Sequence, residues 1–175
     1  YMAMEFLEGE TLADAIARGP LDCDQLADIM LAVCAGVHAA HGKGIVHRDL
    51  KPGNIFLCPD WQGRETARVL DFGISKVGGV SGSGLTETGD IVGTSQYLSP
   101  EQAAGARHVN EASDQYSLAV VMYECVTGQT PQRGLPIHEL LRNVTRGRHV
   151  AARELRPALS PEIEAVIERA MSVRP

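Results

Sequence analysis

Apolar side chains return at steps of three and four from residue 26 onward: Leu26, Ile29, Met30, Val33, Cys34, Val37 and then His41. That spacing draws one apolar stripe along a helix. Asp22, with Gln25 three residues on, predicts a capping box at its start, and Gly42 and Gly44 predict its end. A shorter helix is predicted before it, from Thr11 to Arg18, stopped by Gly19-Pro20. Residues 1–7 form an apolar run that reads as a buried strand, with Glu8-Gly9-Glu10 as a turn. Ile45-Val46, Ile55-Phe56-Leu57 and Ala67-Arg68-Val69-Leu70 read as small strands. The residues between the last two, 59–63, predict a hairpin connection with Trp61 packed on the turn. Between 71 and 101 the periodicity is lost, and 78–84 is a glycine and serine patch. Ser113 is the expected cap of a second long helix, Asp114 to Thr127, closed by Gly128. It carries Leu118 to Tyr123 without a polar break, the mark of a central buried helix. Residues 136–145 and 161–173 predict two more amphipathic helices. The expected class is α+β, mainly helical, with a few short strands before residue 71.

Composition changes this picture little. Of 175 residues, 44% are hydrophobic and 22% charged, which is ordinary for a globular chain and excludes a disordered one. Sixteen Lys and Arg against 22 Asp and Glu leave a formal charge of −6, so no nucleic-acid partner is expected. The four cysteines are scattered, with no C-x-x-C pair and no zinc spacing with the six histidines. They read as buried, reduced thiols, which suits a cytoplasmic setting. No apolar stretch is expected to reach the roughly 18 residues of a membrane span. No basic segment followed by an apolar one opens the chain. Both ends read as cut inside an element, so the chain is expected to be a piece of something longer.

The chemistry is concentrated in His47-Arg48-Asp49-Leu50-Lys51-Pro52-Gly53-Asn54, a loop held between two short strands. Asp71-Phe72-Gly73 follows, and then Gly93-Thr94-Ser95-Gln96-Tyr97-Leu98-Ser99-Pro100-Glu101. Asp49, Lys51, Asn54 and Asp71 together are two carboxylates, an ammonium and an amide oxygen. Those groups suit phosphoryl transfer. Asn54 and Asp71 can offer hard oxygens to Mg²⁺. Asp49 can accept a hydroxyl proton and aim the hydroxyl at phosphorus, and Lys51 can neutralise the transferred charge. The transition state is loose, so positioning and electrostatics carry most of the catalysis.

In order and spacing these segments resemble the catalytic and metal-binding loops of eukaryotic-type (Hanks-type) bacterial serine/threonine protein kinases. Lys51 within H-R-D-L-K-P-x-N is the serine/threonine form of that loop. The resemblance implies the large, C-terminal lobe of the kinase fold, spanning 1–175, with the small lobe absent from the chain. Residues 1–10 would be the hinge strand and linker, 11–175 the helical lobe, and 71–101 the activation segment. It implies Asp49 as catalytic base, Lys51 on the γ-phosphate, and Asn54 and Asp71 on Mg²⁺, with Mn²⁺ as the alternative ion. Thr94 would bond to Asp49 and Lys51. For ATP it implies Met4 as gatekeeper, Glu5 and Leu7 in the hinge, Thr11 near ribose and Phe56 under the adenine. Arg48 would grip a phosphorylated activation loop, with Thr86 and Thr88 as the phosphate acceptors. His47, Phe72, Gly73 and Glu101 would support the site. Asp114 would accept N–H bonds from the catalytic loop.

The implied partners are protein substrates and a second kinase copy met through the small lobe, with any membrane anchor lying outside the chain. The resemblance also implies an Arg partner for Glu101, usually found just beyond Pro175, and leaves the piece alone inactive. Two other readings stay open at the level of sequence. One is a pseudokinase or regulatory module, which would need an upstream region lacking the glycine loop or lysine. The other is a small-molecule phosphotransferase with a D-x-x-x-x-N loop, though such enzymes lack the 93–101 segment.

Overall fold

The computed structural model describes residues 5–72, 95–105 and 109–173. Gly9 turns the incoming chain into a two-residue strand, β1 (Glu10–Thr11). Its φ of +148° is open to glycine, and a Cβ there would lie 1.9 Å from the Leu57 carbonyl oxygen. Helix α1 (Leu12–Ala17) starts at once, capped by Thr11, whose hydroxyl accepts from Asp14 N–H in a full capping box. Helix α2 (Cys23–His41) follows, capped by Asp22. Its stripe Leu26, Ile29, Met30, Val33 and Val37 is buried, as the spacing predicts.

A 3₁₀ turn (Pro52–Asn54) leads into β2 (Ile55–Pro59), paired antiparallel with β3 (Glu65–Val69). β1 pairs antiparallel with the other edge of β2, Thr11 opposite Phe56, giving the sheet order β1-β2-β3. α2 lies against β3. After a 3₁₀ turn at Ser95–Tyr97 comes the short helix α3 (Pro100–Ala103). α4 (Glu111–Thr127) is the central helix, with eleven buried residues and Gly128 in the left-handed region at its end. α5 (Ile137–Thr145), α6 (Ala152–Leu155) and α7 (Pro161–Ala170) complete the fold. α4 is surrounded by α2, α3, α6 and α7, and one contiguous core joins them. The result is mainly helical with a small three-stranded sheet.

Several expectations are corrected. Residues 5–7 form no strand, and Phe6 is 86% exposed, because the edge of β2 is met only at Glu10 and Thr11. Ile45-Val46 is also unpaired: the Ile45 N–H returns to the Ala40 carbonyl, which prolongs the helix end instead of opening a strand. α4 starts earlier than expected, capped by Asn110 Oδ1 on the Ala112 N–H, while the Ser113 hydroxyl bonds to Glu101. α7 ends at Ala170 rather than 173. Trp61 is 88% exposed at the hairpin tip, so its ring is not covered by the turn as expected. Cys58 and Cys125 are buried, but Cys34 is exposed because the buried stripe of α2 is narrower than its apolar pattern. That helix also has 19 residues at a mean hydropathy of 1.2, long and apolar enough to cross a membrane by length and composition, against the expectation that no stretch comes close. Here its buried face belongs to the domain core.

Candidate active site

Two consecutive residues, His47 and Arg48, open the loop with backbone N–H bonds to a residue 67 and 66 positions away. Arg48 has φ +68°, in the left-handed region that a Cβ disfavours by about 1–2 kcal/mol. The bonds around it hold it there. The His47 N–H donates to Asp114 Oδ2 and the Arg48 N–H to Asp114 Oδ1, each at 2.8 Å. His41 Nε2 sits 2.8 Å from Asp114 Oδ2. The Asp114 side chain is 1% exposed, so a buried carboxylate on α4 is satisfied by α2 and by the loop together. His47 is fully buried. Its Nε2 faces the Leu70 carbonyl at 2.8 Å, and the Asp49 N–H donates to its Nδ1 at 3.3 Å. A carbonyl only accepts, so the proton sits on Nε2 and Nδ1 is left to accept. Phe72 stacks at a tilt on the same ring, centroids 4.9 Å apart.

These supports bring the chemistry-bearing groups together. Lys51 Nζ lies 3.2 Å from Asp49 Oδ2. Asn54 Nδ2 donates to the Asp49 carbonyl at 2.8 Å and reaches Asp49 Oδ2 at 3.4 Å. The Leu70 N–H donates to the Asn54 carbonyl at 2.8 Å. Leu70 is thus tied to both His47 and Asn54, which delivers Asp71 beside the loop. Asp71 is exposed and has φ +51°, the only other non-glycine in the left-handed region among the described residues.

Asn54, with its nitrogen turned to Asp49, keeps Oδ1 as the atom a hard cation can take, and Asp71 offers a carboxylate. An all-oxygen pair of this kind fits Mg²⁺. No group of three His, Cys, Asp or Glu side chains able to hold a metal occurs among the described residues. Most of such an ion's shell would therefore come from phosphate and water.

The segment after residue 94 closes one side. Tyr97 donates its hydroxyl to Glu124 Oε2 at 2.6 Å, and its carbonyl accepts from Ser117 Oγ at 2.8 Å. Burial, then the neighbouring Glu124 charge, pushes the Tyr97 phenol well up. Burial likewise raises the Glu124 carboxyl, against the lowering effect of the Tyr97 bond. Ser99 and Gln102 form a capping box on α3, and Gln102 Nε2 also donates to the Arg48 carbonyl at 3.0 Å. Glu101, expected to want an arginine, accepts from the Ser113 hydroxyl. The Arg48 Nε is buried without a hydrogen-bond partner.

Of the residues expected to meet the nucleotide, Glu5 pairs with Arg68 on β3 at 2.7 Å, and Leu7 is half-buried. Phe56 lies opposite Thr11 across the β1-β2 pair, and the Thr11 hydroxyl is engaged in its cap. Met4, Gly73, Thr86, Thr88 and Thr94 lie outside the described residues.

Sequence reasoning missed two contributors. His41 ends the apolar stripe of α2 as a polar residue on a core face, a signal that it needs a buried partner. Gln102 is legible as half of an S-x-x-Q capping box, but not as a link to the loop.

The sequence pattern of the family described as protein kinase domain matches residues 1–175. The chain is 35% identical to serine/threonine-protein kinase PknB of Mycobacterium tuberculosis over 177 aligned residues, covering all of this chain and 27% of that protein. It is 42% identical over 134 residues to serine/threonine-protein kinase pkn2 of Myxococcus xanthus, 76% of this chain and 16% of that protein. A probable serine/threonine-protein kinase of Corynebacterium efficiens is 41% identical over 135 residues, 77% of this chain and 20% of its own length. The chain therefore spans about a quarter or less of the curated relatives named here. With a match over its whole length and bacterial relatives of this kind, the chain belongs to the protein kinase domain family, in its bacterial serine/threonine branch.

Proposed function

We propose that residues 1–175 are the large lobe of a serine/threonine protein kinase that moves the γ-phosphoryl group of Mg-ATP to protein hydroxyls. The observation that carries this is the convergence of Asp49, Lys51 and Asn54 within hydrogen-bond reach of one another, with Asp71 tethered alongside. Asp49 Oδ accepts the proton of a serine or threonine hydroxyl and orients its oxygen toward phosphorus. The new bond joins that oxygen to phosphorus, and the bond to the β-phosphate oxygen breaks, releasing ADP. Lys51 sits next to Asp49, where its charge can stabilise the phosphoryl oxygens. Asn54 and Asp71 hold the cation, which when bound neutralises phosphate charge. Glu5, Leu7, Thr11 and Phe56, with Met4, form the adenosine side, and Thr94 completes the hydroxyl site.

Arg48 supports regulation by phosphate. Its buried, unpartnered Nε is a donor that a phosphate oxygen can take up. A phosphorylated Thr86 or Thr88 supplies the matching acceptor oxygens. ATP clamping requires the small lobe, so the piece alone is inactive. A cytoplasmic position, protein substrates, dimerisation through the small lobe and any anchor belong to the longer protein.

The test is phosphotransfer followed by mass spectrometry, using the full-length protein with Mg-ATP beside Asp49→Asn. Phosphate on Thr86 or Thr88 in the parent, reduced at least about a thousandfold in the variant, is the expected result. ATP binding without phosphate transfer in either protein would overturn the enzyme reading in favour of a pseudokinase.

A further inference from the structure

Gln102 uses both ends of its side-chain amide. Oε1 accepts from the Ser99 N–H at 3.0 Å, and Nε2 donates to the Arg48 carbonyl at 3.0 Å. The first bond closes the cap of α3, and the Ser99 hydroxyl answers it by accepting from the Gln102 N–H. A cap of this kind needs only an oxygen at this position, and glutamate serves it as well as glutamine. The donor end is therefore surplus to the cap. What it holds is the carbonyl of the peptide that links Arg48 to Asp49.

The other polar end of that same peptide, the Asp49 N–H, is held by His47 Nδ1. The peptide before it is held by Asp114 through the Arg48 N–H. Between these grips Arg48 stands in the left-handed region, where relaxation of the backbone is downhill unless it is opposed. Turning the Arg48–Asp49 peptide would swing the Asp49 carboxylate away from Lys51 and from any hydroxyl. Gln102 supplies its grip from α3, a different segment from those that supply the other two.

We propose that Gln102 is a positioning residue: through the Arg48 carbonyl it fixes the plane of the Arg48–Asp49 peptide and so couples the seating of α3 to the aim of Asp49. This deepens the kinase reading above and rests on it.

Two substitutions separate the link from the cap. Gln102→Glu keeps the capping oxygen and removes the donor. Gln102→Lys keeps a donor that can reach the carbonyl and removes the capping oxygen. Both are made in the full-length protein, and turnover is expressed per nucleotide-binding site, beside the thermal midpoint and the KM for ATP. Gln102→Glu is expected to lower kcat about tenfold with KM for ATP and midpoint unchanged. Gln102→Lys is expected to melt lower but stay within about threefold of the parent kcat. If Gln102→Glu does not fold, Gln102→Met replaces it: loss of turnover in Gln102→Met but not in Gln102→Lys supports the link. An active parent with unimpaired Gln102→Glu, or equal loss of turnover in every variant, overturns the link and leaves the kinase reading standing. An inactive parent overturns both.

Discussion

Removing the Asp114 carboxylate would strand three donors that now share it: the N–H groups of His47 and Arg48 and the His41 ring. All three point into a place that water does not reach. Asp114→Ala is expected to destabilise by about 3–5 kcal/mol, read as a lowered denaturant midpoint at constant slope. Asp114→Asn, which keeps one oxygen, should cost less. At this scale the sequence was legible where function is local. Asp49, Lys51 and Asn54 stand within six consecutive positions, so their spacing alone brought them together. Asp114 was legible only through resemblance, since its partners lie 66 to 73 positions away. His41 and Gln102 escaped for the same reason. Each has an adequate local explanation, a helix face or a cap, that conceals a distant partner.

At the scale of elements, α4 is the post to which the loops are tied, and Glu124 is where it meets the segment after residue 94. Burial raises the Glu124 carboxyl, so the folded state binds its proton more tightly than the unfolded chain does. Stability from this group is fullest below the ordinary value of 4.5 and is lost as pH rises through the elevated folded value. Glu124→Gln removes that loss while still accepting from Tyr97. The melting temperature of the variant minus that of the parent is therefore expected to grow from pH 4 to pH 7, and a flat difference would refute it. α2 and α4 were legible because their apolar spacing extends over several turns. The strands expected at 1–7 and 45–46 were not, because a short apolar run carries no information on whether a partner edge is present. The start of α4 was misread because Asn110 and Ser113 are both good caps, and Ser113 was taken by Glu101.

For the whole molecule, one core joins both ends of the described chain, so its interior should open as a unit. The cysteines can report this. Cys34 is exposed, Cys58 and Cys125 are buried, and burial pushes the Cys125 thiol up to about 12. Alkylation resolved by peptide mass spectrometry should label Cys34 in the native state. Cys125, which belongs to that core, should be labelled only at the global unfolding rate; earlier labelling would show that the core opens in parts. Finally, among the described residues the two non-glycines in left-handed backbone are Arg48 and Asp71, a residue of the proposed switch and one of the proposed cation ligands. A selection for heat resistance alone would reach these positions early, since glycine or asparagine there relieves strain. Thermostable descendants found that way should be the ones that have lost signalling, and an engineer should hold both positions fixed before searching elsewhere.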